Sequence, residues 1–229
     1  CAPGESAEMY GEARLAAVTT AASGAPLTAY VDTVSTQPLL ARLPSAGAIA
    51  RITTNETLGI TEWQLSNGVL VVLKPTMFKQ DEILFRALSP GGTSLASDQD
   101  FIPAATAAEV VAQGGLGALS GVNLDKKLAG TTAFVRADIG QTEEGLGGSS
   151  SRADLETMFQ LVYLTFTAPR ADPVAFRVLV DQLKATLANR DAMPETVFSE
   201  ALDAALTQNH VRAQPLTPAR LDQMSLDKS

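Results

Sequence analysis

Apolar and polar side chains alternate most clearly at Thr61, Trp63 and Leu65, before Asn67-Gly68 and a second apolar run over 69–73. An Asn-Gly pair between two such runs predicts a β-hairpin, because both residues tolerate the positive φ of a tight two-residue turn. A further strand is predicted over 82–88, ended by Pro90-Gly91-Gly92, where the chain can turn sharply. Upstream the pattern fades. The stretch 33–58 is interrupted by Pro38, Pro44 and Gly47 and is expected to be an interdomain linker. A helix over about 6–22, ending at Ser23-Gly24, precedes it.

Downstream the period changes to that of helices. Pro103 suits a first helical turn, and the segment to Gln113 stops at Gly114-Gly115. A short helix over 122–128 follows, capped by Ser120 and ended by Gly130. The run 132–139 alternates again, with Ala133, Val135, Ala137 and Ile139 on one side and Arg136 and Asp138 on the other, as a half-buried strand does. A strand over 143–150 is expected to be weaker, since Gly145, Gly147 and Gly148 offer little to pack, and it suits a place where another backbone comes close. Three helices are then predicted. The first opens at Ser151 with Asp154, the second at Asp172-Pro173, and the third runs over about 195–209, each with one apolar face expected to bury on a sheet. The order is that of an α+β domain, a mostly antiparallel sheet backed by helices.

Composition narrows the function classes. With 45% apolar and 18% charged residues over 229 positions, the chain is expected to fold. Seventeen Lys and Arg against 25 Asp and Glu give a net charge of -8, which repels a phosphate backbone, so nucleic acid is not an expected partner. No apolar run approaches the length needed to insert through a bilayer. Cys1 is the single cysteine, so no internal disulfide can form and the redox compartment stays open.

The candidate chemistry is sparse. A hydrolytic zinc site needs three protein ligands and an open position for water, and the chain has one His and one Cys. His210 is expected at the surface near a helix end, where the helix dipole favours its charge. A Ser-His-Asp triad has few geometries with His210 as the lone base, and the run from Gly147 to Ser151 lacks the G-x-S-x-G spacing of a nucleophile elbow. Gly115, Gly117 and Gly121 follow a helix and miss the dinucleotide-loop spacing. Lys126-Lys127 is expected to be a solvated helix face.

The stretch Thr61-Glu62-Trp63-Gln64-Leu65-Ser66-Asn67-Gly68-Val69, followed by a strand and Ser89-Pro90-Gly91-Gly92-Thr93-Ser94, resembles the opening of a domain of the insulinase (pitrilysin) family of zinc metallopeptidases. The resemblance covers 59–229 and implies a mitochondrial-processing-peptidase-like fold. In active members the next helix carries the inverzincin motif H-x-x-E-H. Here it contains Ala105-Thr106-Ala107-Ala108-Glu109-Val110-Val111. With Glu109 at the motif's glutamate, Thr106 and Val110 stand where the two histidines belong. The family's third ligand, a later glutamate, falls at Thr186-Leu187. All three ligands are missing together, and Glu109 without metal-bound water has little to act on.

The resemblance therefore implies no catalytic, cofactor-binding or metal site in this chain. Residues 1–58 would be the tail of a preceding domain plus a linker, and 59–229 a third-domain-like unit. Zinc would belong to the parent's catalytic domain, with other domains of the same parent and peptide or unfolded polypeptide as partners. The implied role is a non-catalytic half-chamber wall around peptide cut elsewhere. A scaffold or binding module of the same family, and an independent hydrolase with an unrecognised site, are the alternatives. A periplasmic parent is expected from the resemblance alone.

Overall fold

The computed structural model describes residues 11–24, 35–188, 190 and 193–229, in a chain that divides into two units, Cys1–Val34 and Ser35–Ser229. The described part of the first unit is a helix, α1 (Glu12–Gly24), with no buried residue. Its first predicted turn, like Cys1, lies outside the described residues.

The second unit contains two three-stranded antiparallel sheets. One joins β1 (Ile49–Asn55), β2 (Ile60–Leu65) and β3 (Leu70–Leu73) in that order. Asn67-Gly68 makes the expected turn between β2 and β3. Gly68 takes φ 91, the Leu65 N–H donates to the Val69 carbonyl at 2.8 Å, and the Asn67 side chain accepts from Val69 N–H at 3.2 Å. The linker expectation is corrected here. β1 lies inside 33–58 and pairs with β2 from Ile49↔Leu65 to Asn55↔Ile60, and Leu39 and Leu40 pack on a buried cluster of Leu116, Leu161 and Leu164. Pro38, Pro44 and Gly47 all precede Ile49, and the β-branched residues after them favour an extended chain.

The other sheet has the order β4 (Ile83–Pro90), β6 (Glu143–Ser150), β5 (Ala133–Ile139). β6 is its middle strand, and Gly145 and Gly148, though not Gly147, allow the close backbone approach that the sequence suggested. A Cβ on Gly145 would lie 2.0 Å from the Ala87 carbonyl oxygen, and one on Gly148 2.6 Å from that of Phe134. One face of this sheet carries α2 (Phe101–Gly114) and α4 (Leu155–Thr167). Val135 on β5 packs on the Leu116, Leu161 and Leu164 cluster, and Phe85 on β4 meets the Phe159 ring edge-on at 5.7 Å between centroids.

α3 (Gly121–Leu128) is capped by Ser120, which accepts from Asn123 N–H at 3.4 Å. α5 (Pro173–Leu187) starts where predicted, with the Asp172 carboxylate accepting from Val174 and Ala175 N–H at 2.9 and 3.1 Å. The expectation that all three late helices bury a face on a sheet is corrected by where they pack. Only α4 has that place. α5 packs on α2 and on α7 (Pro218–Leu221), and α6 (Pro194–Leu206) has no buried residue. α7 was not legible as a helix, although Thr217 caps it and its Leu221 is 1% exposed.

Arg212 ties the segment after α6 to the turn Gly92–Leu95. Its guanidinium donates to the carbonyls of Thr93 and Ala96 at 2.8 and 2.7 Å and to Asp98 at 2.7 Å, and it sits over the Phe101 ring. Contacts of a charged donor with carbonyl oxygens are among the stronger hydrogen bonds. They hold the start of α2 in place.

Candidate functional site

The place to look for chemistry is the seam between α2 and α5, where the sequence put the three missing ligands. Thr106 and Val110, one turn apart, both lie on the buried face of α2, while Glu109 is exposed. The Thr106 hydroxyl donates to the Ile102 carbonyl at 2.8 Å, so its proton is committed inside its own helix. Val110 belongs to a core cluster with Ile102, Leu179, Leu221 and Met224, and Phe176, Val180, Leu183 and Leu187 from α5 pack against it. Thr186 is exposed and donates to the Gln182 carbonyl at 3.0 Å. The register on α5 therefore turns Leu187, not Thr186, toward the seam.

A zinc ion requires nitrogen, sulfur or carboxylate donors converging at about 2.0–2.3 Å. The seam offers hydrocarbon and one hydroxyl already bonded, so the zinc of the family's active members does not fit these residues. Among the described residues no group of three or more His, Cys, Asp or Glu could hold a metal ion. The methyl groups of Val110, Leu179 and Leu187 fill this region and contribute to stability: burying one such side chain is worth about 1.5–3 kcal/mol.

The other singled-out residues have structural partners. His210 is exposed, and its Nδ1 accepts from Arg212 N–H at 3.3 Å. The glycines at the end of α2 permit close backbone approach. A Cβ on Gly114 would lie 2.1 Å from the Arg170 carbonyl oxygen and one on Gly115 2.3 Å from that of Leu119. The Arg170 N–H donates to the Gly115 carbonyl at 3.0 Å, which ties the end of α2 to the α4–α5 connection. Lys127 corrects the expectation of a solvated face: its ammonium donates to the Ser35 carbonyl at 3.1 Å. In the Gly147 to Ser151 run, Ser151 and Asp154 bond reciprocally, hydroxyl to carboxylate at 2.7 Å and amide to hydroxyl at 3.0 Å.

Three carboxylates have pKa values below the ordinary range, each for a structural reason. Asp100 is held down by hydrogen bonds from Lys228 and Ser97, Asp154 by the Ser151 hydroxyl and the Thr132 N–H, and Asp172 by the N–H groups of Ala175 and Val174. All three are thereby kept ionised, which suits caps and ties and is the opposite of a general acid. A recess of about 190 Å³ between α2, α3 and β5 is lined mainly by Ala108, Val111, Leu116, Leu124 and Leu161, with Asp125 and Thr165 at its edge. The Thr165 hydroxyl donates to the Leu161 carbonyl at 2.8 Å and is thus committed within α4.

No protein-family model matches the chain. Among curated proteins it is similar to a PQQL-like zinc protease of Arabidopsis thaliana, 27% identical over 166 residues, covering 71% of this chain and 15% of that protein. Among solved structures it is similar to the periplasmic protease PqqL of Escherichia coli, with a TM-score of 0.71 at 21% identity over 95% of this chain and 24% of that one. It is also similar to an inactive domain of a peptidase M16 from Pseudomonas fluorescens, with a TM-score of 0.57 at 16% identity over 72% of this chain and 42% of that one. The fold is thus that of M16 peptidase domains, antiparallel sheet backed by helices, and the resemblance drawn from the hairpin motif leads to the same proteins. The chain spans under a quarter of the length of the Arabidopsis thaliana and Escherichia coli proteases that it matches.

Proposed function

We propose that this chain is a non-catalytic domain of a larger zinc metallopeptidase, forming part of a chamber wall that encloses and holds a peptide while another domain cuts it. The observation that carries the reading is the hydrocarbon-filled seam at Thr106, Val110 and Leu187, in a fold shared with zinc proteases. A peptidase domain that needed zinc would pay heavily for losing three ligands at once, whereas a wall domain is stabilised by the apolar replacement. The likeness to an inactive M16 domain supports the same reading.

Open apolar side chains support a role inside a larger body. Ile52 and Val72 in the first sheet, Phe159 and Phe166 on α4, and Phe198 and Leu206 on α6 are all about half exposed or more. Exposed apolar side chains on several elements are surface that contact with other domains would cover. By analogy with PqqL the parent is exported to the periplasm. Peptide is held by strand addition at an open sheet edge as well as by enclosure.

The test is made in the full-length parent. Its upstream sequence should contain an intact H-x-x-E-H and a later glutamate. Removing 35–229 should leave bound zinc unchanged and raise KM for long peptides. A parent without that motif would favour the scaffold reading, and loss of zinc on removing this segment would overturn both.

A further inference from the structure

The sheet β4-β6-β5 has a second face, opposite the one that carries α2 and α4, and its side-chain pattern is unusual for an open sheet. In register across the three strands, outward-facing rungs read Leu84, Ser149, Phe134, then Arg86, Gly147, Arg136, then Leu88, Gly145, Asp138. The middle strand thus presents almost no side chain, while the two outer strands present long ones. The result is a groove of about 440 Å³ floored by β6 backbone, with walls about 10 Å apart, two strand spacings.

The glycines of this floor differ from one another. Gly145 is required by close packing, but a Cβ on Gly147 would meet nothing within 4 Å. No neighbour forces glycine at the centre of the groove, and its effect is to keep the centre open. On either side of it stand the two arginines. Arg86 pairs with Glu143 at 3.4 Å, with both side chains more than half exposed, a pairing of small worth in water. Arg136 has no hydrogen bond or ion pair among the described residues. The lining carries two guanidiniums against one carboxylate, Asp138, on a chain of net charge -8. Leu84 and Phe134 at one end are 75% and 58% exposed.

We propose that this groove binds an extended peptide by seating one of its carboxylate side chains between Arg86 and Arg136, with an apolar side chain two residues away against Phe134 and Leu84. An extended chain repeats its side-chain direction every second residue, about 6.8 Å, which is the spacing of the rungs beneath it. Guanidinium groups recognise carboxylate with paired hydrogen bonds, more directionally than ammonium would. A purely apolar occupant would leave Arg136 without an acceptor, while Arg86 would keep Glu143 alone. This inference rests on the peptide-holding reading above and adds to it a preference for acidic segments.

The test uses the 229-residue chain and fluorescent peptides in which an apolar residue stands two positions from Glu, with Gln and Lys counterparts. Anisotropy titrations should show the Glu peptide binding about ten-fold tighter than the Lys peptide, with the difference shrinking as salt rises. Arg136→Glu should invert that preference. Gly147→Leu should weaken binding of the Glu peptide about ten-fold with thermal unfolding unchanged; Arg86→Gln, at the surface, serves as a second variant free of any folding defect. Equal binding of all three peptides, indifferent to these variants, overturns the acidic preference and leaves the peptide-holding reading intact. Binding of no peptide at all overturns both. Self-association abolished by Arg136→Glu would assign the groove to a second copy and also overturn the inference.

Discussion

Three positions separate this chain from a metallopeptidase site, and each has a distinct physical status. Thr106 has spent its hydroxyl on the Ile102 carbonyl, Val110 is core, and Thr186 faces solvent while Leu187 faces the seam. If the seam is a structural core, Leu179→Ala should cost about 2–5 kcal/mol in urea unfolding, and Val110→Asp should cost more than about 3 kcal/mol or prevent folding, because a lone carboxylate would be buried. Glu109→Gln should stay within about 0.5 kcal/mol of the parent chain, as exposed substitutions do. Asp100, Asp154 and Asp172 carry a pH prediction. Their folded pKa values are lowered, so their contribution is present above the unfolded carboxylate value of about 3.9 and is lost as pH falls through the folded values. Stability measured by denaturant titration should therefore fall on the acid side of about pH 4, and Asp154→Asn should flatten that limb.

At the scale of elements, β6 gives the sharpest test, since two of its glycines look alike in sequence and differ in surroundings. Gly145→Ala places a methyl 2.0 Å from the Ala87 carbonyl oxygen and should destabilise by several kcal/mol, on the order of 3, by splitting β4 from β6. Gly147→Ala meets open space and should be neutral or slightly stabilising in thermal melts. The sequence foretold that glycines here allow a close backbone, because a run of small residues in a strand has few other uses. It did not distinguish Gly145 from Gly147, since that depends on strand order. The hairpin at Asn67-Gly68, the caps at Ser120 and Asp172 and the alternation in β5 were legible because each is fixed by residues within a few positions. β1 was missed because prolines and a glycine just before it masked a short β-branched run. α7 was missed because four residues carry no period, and Arg212 because its partners lie more than a hundred residues away. The residue types at Thr106, Val110 and Thr186-Leu187 were legible in the sequence, but their packing into a hydrocarbon seam was not. Nor was the groove, since it appears only when β4, β6 and β5 are placed in register.

For the whole molecule, the exposed apolar side chains of the first sheet, α4 and α6 are surface that the proposed role as part of a chamber wall would cover. The most direct measurement is metal analysis of the purified 229-residue chain after zinc exposure and gel filtration, paired with cleavage of an unstructured peptide. A non-catalytic domain predicts no retained zinc and no turnover above buffer. One zinc per chain with chelator-sensitive cleavage would contradict it.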